Sequence, residues 1–272
     1  MNDRTQDVHK EGKVGFFDSG LGGLTILKAV AKELPQYDYV FYGDTANLPL
    51  GDKTEEEIYE LTKAGVEELF KKGCLLVIIA CNTASAETLR RLQDGFLKEH
   101  YPDRRILGVV IPTVEALINS DSVGTLLIAT KRTVESGKYD LEIQNRSSRD
   151  IKLYSVPTPG LVPLIESGDS SEALDKAIGI IKAKLSEYQF DTVILGCTHY
   201  TKLKDGLRTH FGSSLHFLSQ DEIIPKKLTD YLERHPEIKG ELGQGSTRSI
   251  HLTLHRPDYD NTLRELLGGV MI

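Results

Sequence analysis

Leu75-Leu76-Val77-Ile78-Ile79-Ala80-Cys81-Asn82-Thr83-Ala84-Ser85 is an apolar, β-branched-rich run that stops at a cysteine followed by small polar residues. It shows no apolar–polar alternation, so it predicts a strand buried on both faces, as in a parallel sheet covered by helices. Asn82, Thr83 and Ser85 are then expected to cap the next helix. A second stretch, Thr192-Val193-Ile194-Leu195-Gly196-Cys197-Thr198-His199-Tyr200, repeats the same grammar. Two thiols therefore sit at the carboxyl ends of two strands. Ligands bind at that end of open α/β sheets, where helix N-termini add N–H donors and a partial positive charge that raises thiolate character.

Outward from these two stretches, strand and helix patterns alternate. Val14-Gly15-Phe16-Phe17 reads as a strand, Asp18-Ser19-Gly20-Leu21-Gly22-Gly23 as a turn, and Leu24 to Leu34 as an amphipathic helix. The turn lacks the full G-x-G-x-x-G spacing and a Walker lysine, so a tight βα turn is the favoured reading over a phosphate cradle. Tyr39 to Tyr42 is the next strand, and Thr54 with Glu57 forms a capping box for a helix reaching about Lys72. A helix from about Ala84 to Glu99 follows the first cysteine. The pattern restarts near Tyr101-Pro102-Asp103 with a strand Ile106–Ile111, a helix opened by Pro112-Thr113, and a strand Gly124–Ala129 with Thr130 and Thr133 at its mouth. Ile151 to Val156, a helical stretch from Leu161 through Tyr188, and the strand before Cys197 continue it. Beyond Leu218, a helix-like run Ile223 to Glu233, a charged loop Pro236 to Gly245 and a helix-like run Leu263 to Leu267 are expected to pack back on the first unit.

The expected fold is α/β, with two pseudo-symmetric doubly wound α/β domains and the active site in the cleft between them. Residues 1–105 plus 220–272 would form the domain carrying Asp18 and Cys81, and residues 106–219 the domain carrying Cys197 and His199.

Composition narrows the partners. Lys and Arg number 33 against 40 Asp and Glu, a net charge of −7 with no long basic run, so no nucleic-acid partner is expected. The first thirteen residues lack a signal-peptide core and no apolar run is long enough to span a bilayer, which predicts a cytoplasmic protein with no membrane partner. Three cysteines, an odd number, read as free thiols, and no clustered ligand set predicts a metal. Cys74 reads as a small buried hydrophobe.

Two thiols facing each other across a cleft suggest a two-base device. One thiolate takes a proton from a carbon acid while the opposite thiol gives one to the other face, inverting the centre. A thiol of ordinary pKa, about 8.5, needs its neighbours to tune it for this work. Asp18 is placed to orient one thiol and His199 the other. In a different mechanistic class, Cys197 with His199 would be nucleophile and base for acyl transfer, which leaves Cys81 idle. A non-catalytic binder of an acidic ligand is the third reading.

Phe17-Asp18-Ser19-Gly20-Leu21-Gly22-Gly23-Leu24, Tyr42-Gly43-Asp44-Thr45, Ala80-Cys81-Asn82-Thr83-Ala84-Ser85 and Leu195-Gly196-Cys197-Thr198-His199-Tyr200 resemble the signature blocks of the glutamate racemases, within the cofactor-independent aspartate/glutamate racemase superfamily. The resemblance spans roughly Val14 to Phe211. It implies a cytoplasmic enzyme that interconverts L- and D-glutamate with no cofactor, feeds D-glutamate into peptidoglycan precursors and works as a homodimer. By the same resemblance Cys81 acts on the α-proton of the D-enantiomer and Cys197 on that of the L-enantiomer. Asp18 would assist the first, His199 the second, and Glu166 would add a carboxylate on the Cys197 side. Ser19, Leu50, Gly51, Asn82, Thr83, Thr133 and Thr198 would surround the acidic amino-acid substrate.

The chain departs from the family pattern at Leu50, where a tyrosine is usual, at Ile111-Pro112-Thr113, at Thr201 and in the tail around Ser249 to Leu254. None of these touches the paired cysteines. They bear on side-chain specificity and keep aspartate, or another acidic amino acid, as the alternative substrate.

Overall fold

Apolar runs separated by helices become two parallel sheets in the computed structural model, which describes residues 11–257, 259–260 and 263–264. The first unit contains β1 (Lys13–Asp18), α1 (Leu24–Glu33), β2 (Tyr39–Gly43), α2 (Glu55–Lys71), β3 (Cys74–Ile79), α3 (Asn82–Arg91), α4 (Lys98–His100) and β4 (Arg105–Gly108). The chain crosses over through α5 (Val110–Ile118). The second unit then contains β5 (Thr125–Ala129), α6 (Lys131–Glu135), α7 (Lys138–Arg146), β6 (Leu153–Pro157), α8 (Leu161–Glu166), α9 (Ser170–Glu187), β7 (Thr192–Gly196), α10 (Lys204–Phe211) and β8 (His216–Leu218). It returns through α11 (Gln220–Arg234) and α12 (Pro236–Lys239) to β9 (Arg248–Leu252), which pairs with β2.

The first sheet is ordered β4-β3-β1-β2-β9 and the second β6-β5-β7-β8, with every pairing parallel. Read from its other edge, the second sheet runs β8-β7-β5-β6, the winding of β4-β3-β1-β2 repeated. Cys81 follows β3 and Cys197 follows β7, so the thiols occupy equivalent places in the two windings. Strand β9 is an added edge.

Each sheet is covered on both faces, which is why its strands carry no alternation. Val14 and Phe16 of β1 pack with Leu24 and Ile26 of α1 and with Ile224 and Leu228 of α11. Phe17, on the opposite face, joins Ile58 and Val66 of α2 and Leu89 of α3. In the second sheet Leu126 and Val193 pack beneath α8, α9 and α10, while Leu127 and Ile194 pack against Val114 of α5 and Ile143 of α7. Helix α2 starts where its capping box predicts: the Thr54 hydroxyl accepts from the Glu57 N–H and the Glu57 carboxylate accepts from the Thr54 N–H.

Several expectations are corrected. The strand expected to open the second domain at residue 106 pairs with β3 instead, so the first unit extends through Gly108. An apolar run fixes a strand but not its partner, and the crossover is made by α5. That helix begins at Val110, putting Pro112 in its first turn, where a missing N–H costs nothing. The stretch Leu161–Tyr188 is two helices, broken at Gly168, whose φ of +92° ends α8 before α9. None of Asn82, Thr83 and Ser85 caps α3, whose N-cap is Cys81 with no side-chain cap bond, Asn82 and Thr83 lying inside the helix; Ser85 serves α5 instead. Its hydroxyl accepts from the Val109 and Val110 N–H groups, capping α5 across the crossover. The charged loop Pro236–Gly245 contains α12. Residues 1–10 of the amino-terminal segment and 265–267 of the last helix-like run lie outside the described residues.

Candidate active site

The carboxyl ends of the two sheets enclose a cavity of about 480 Å³. Ser19, Leu50, Gly51, Cys81, Asn82 and Thr83 line it from the first unit, and Glu166, Cys197, Thr198 and His199 from the second. Both thiols are 6% exposed and unpaired in any disulfide.

Cys81 is the N-cap of α3, held there by the end of β3. The Ser19 hydroxyl donates to its sulfur at 3.5 Å. Burial, joined by the charge of Asp18, pushes the Cys81 thiol up to about 12, against the pull of the Ala84 N–H. Asp18, expected to orient a thiol, places its hydrogen bonds elsewhere. Its Oδ2 accepts from the Gly20 and Gly23 N–H groups at 3.2 and 3.0 Å, and its Oδ1 accepts from the Thr198 hydroxyl at 3.4 Å. Asp18 thus ties the glycine turn of one unit to the cysteine loop of the other and reaches Cys81 through its charge. Its own carboxyl is raised by burial, more than the charge of His199 and these hydrogen bonds lower it.

The glycine turn serves close approach. A Cβ on Gly22 would lie 2.5 Å from Thr198 Oγ1, and one on Gly23 2.8 Å from Asp18 Cβ. Only glycine lets the two units meet here.

Cys197 is extended and leads into a turn of 3₁₀ helix, Thr198–Leu203. This turn aims His199 back at it: Nδ1 is 3.7 Å from Cys197 Sγ, and Nε2 is 3.0 Å from Glu166 Oε1, at the end of α8. Burial works to lower the His199 pKa, but the hydrogen bonds to Cys197 and Glu166 outweigh it and raise the imidazole to about 10. The ring is therefore charged at neutral pH.

Thr133, expected beside the substrate, is 1% exposed and is not part of the cavity wall. It stands behind Thr83 and Thr130, whose hydroxyls are 2.9 Å apart and 3.1 and 2.8 Å from its own. Thr130 takes the wall position, because as N-cap of α6 it faces the strand end. Leu50 lines the cavity, although its side chain is mostly absorbed in the core beneath α2. Thr158, Tyr200, Leu254, Arg256 and Tyr259 also line the site and were not anticipated as site residues. Tyr200 was within reach of the sequence, being part of the second cysteine stretch. The three tail residues carry no local signal. They are delivered by the pairing of β9 with β2 and by Thr45, whose hydroxyl donates to the Leu254 carbonyl at 2.5 Å.

Among the described residues no group of three or more His, Cys, Asp or Glu side chains is arranged to hold a metal ion, and no helix is long and apolar enough to cross a membrane.

A pseudo-duplicated pair of parallel sheets thus brings one thiol from each to a shared cavity. The chain belongs to the Asp/Glu/Hydantoin racemase family, whose model matches residues 25–218. It is 42% identical over 241 residues to the glutamate racemase of Jannaschia sp. (strain CCS1), covering 84% of this chain and 87% of that one. To the glutamate racemase of Ruegeria pomeroyi it is 38% identical over 258 residues, covering 90% and 92%. Among solved structures, the glutamate racemase of Francisella tularensis in complex with D-glutamate superposes with a TM-score of 0.82 at 25% identity, covering 97% of this chain and 96% of that one.

Proposed function

We propose that this protein racemises glutamate, with Cys81 and Cys197 as the two acid–base groups, in the cytoplasm and in the supply of D-glutamate for peptidoglycan precursors. The observation that carries the reading is the placement of two thiols, from equivalent strand ends, in the wall of one cavity. Each enantiomer gives its α-proton to the thiolate on one side. The thiol on the other side then protonates the opposite face and is left as the thiolate, so one proton enters and one leaves. Charge that develops on the α-carboxylate is met by hydroxyl and amide donors of Ser19, Asn82, Thr83 and Thr198, some of them at helix starts. The protonated His199, backed by Glu166, is placed to exchange a proton with the Cys197 sulfur or to accompany its negative charge.

The test is circular dichroism of the purified protein with L-glutamate, D-glutamate and both aspartates, with α-proton exchange followed in heavy water. Decay of the signal from either glutamate enantiomer is expected. Decay with aspartate alone would move the substrate to the shorter acid. Cys81→Ser and Cys197→Ser are each expected to lower the rate by at least about 10²-fold, the usual contribution of a positioned acid or base. Acyl transfer instead predicts that Cys81→Ser stays active.

A further inference from the structure

Behind the cavity wall lies a buried polar cluster of which the chemistry above uses only Asn82. The Asn82 carbonyl oxygen accepts from the Tyr139 hydroxyl at 2.7 Å and from Gln220 Nε2 at 3.1 Å. Asn82 Nδ2 donates back to Gln220 Oε1 at 3.4 Å, and Gln220 Nε2 also reaches the Tyr139 hydroxyl at 3.5 Å. Asn82, Tyr139 and Gln220 are 2%, 1% and 0% exposed. Of the three only Asn82 lines the cavity.

A carboxamide has one acceptor oxygen and two N–H donors, and its two orientations fill nearly the same space. Here the oxygen is engaged by two donors on the interior side, and one N–H is engaged by Gln220. The remaining N–H is the one left for the cavity. We propose that Tyr139 and Gln220 are positioning residues that fix the polarity of the Asn82 carboxamide, so that it offers an N–H and not an oxygen to a carboxylate of the bound amino acid. The assignment rests on the reading above that the substrate is an acidic amino acid. Reversal would set the amide oxygen against the carboxylate and leave a buried donor unpaired. Tyr139 comes from α7 of the second unit, whereas Asn82 and Gln220 start α3 and α11, which pack on the first sheet. The polarity of Asn82 therefore depends on the two units being docked.

Tyr139→Phe keeps the ring and removes the donor; Gln220→Glu places an oxygen where Asn82 now receives an N–H. In racemisation kinetics from both enantiomers, KM is expected to rise about tenfold in Tyr139→Phe, the scale of one hydrogen bond, and further in Gln220→Glu, with kcat within about twofold. An unchanged KM in both variants, or a fall in kcat alone, overturns the assignment. The side-chain amide protons of Asn82, followed by ¹⁵N NMR in the ligand-free protein, give a readout independent of turnover. One proton is expected to exchange slowly with solvent and to lose that protection in Tyr139→Phe; equal exchange in wild type and variant overturns the proposal. A wild type inactive on every acidic amino acid would sink the proposed reaction, and the NMR comparison would still decide the positioning role.

Discussion

His199 sets the pH behaviour of the site at the scale of single residues. Despite burial, its hydrogen bonds to Cys197 and Glu166 raise its pKa from 6.5 to about 10. A raised pKa means that the folded chain holds this proton more tightly than the unfolded chain does. The stabilisation is complete below about pH 6.5 and is lost as pH rises toward about 10. Urea denaturation midpoints should fall across that window, and in Glu166→Gln the fall should still begin near pH 6.5 but be smaller and end at lower pH. A Glu166→Gln variant with the wild-type pH dependence would show that the contact does not hold the proton. Cys81, raised to about 12 mainly by burial, adds a second loss above about pH 9 by the same sign.

Two contacts at the scale of elements join helix and turn across the molecule. Gly22, in the turn that precedes α1, lies against the Thr198 loop, and a Cβ there would stand 2.5 Å from Thr198 Oγ1. Gly22→Ala should cost about 1–3 kcal/mol of stability through overpacking and displace Thr198 from the cavity wall. Chemical denaturation and the KM for either enantiomer report the two effects separately. Ser85, on α3, caps α5 through the Val109 and Val110 N–H groups, and Ser85→Ala should cost about 1–2 kcal/mol, read by the same denaturation. The pattern of apolar and polar residues announced α2 and its capping box at Thr54 and Glu57. It could not announce the Ser85 cap, because the residues concerned are 24 and 25 positions apart and meet only after β4 has paired with β3.

In the whole molecule the chain closes on itself. After two windings it returns to the first sheet, where β9 covers the edge of β2 and brings Leu254, Arg256 and Tyr259 to the cavity. A chain ending before Arg248 would expose the β2 edge and open one wall of the site. It should lose racemase activity and associate through the free edge, which size-exclusion chromatography at increasing concentration would detect. A truncated chain that stays monomeric and fully active would show that the tail is dispensable.

The local order of residues determined the two buried strands, the thiols at their ends, the α/β alternation and the motif blocks, because each follows from short-range pattern and the α/β rule that ligands meet carboxyl strand ends. Tertiary structure alone decided four things: that Arg105–Gly108 joins the first sheet, that Asp18 bonds the glycine turn and Thr198, that Thr130 replaces Thr133 at the wall, and that the tail enters the site. Each rests on a meeting of segments distant in the sequence: β4 with β3, Thr198 with Asp18, Thr83 with Thr130, and β9 with β2. Strand pairing, desolvation and side-chain direction are properties of that meeting, and no window of sequence contains both of its sides.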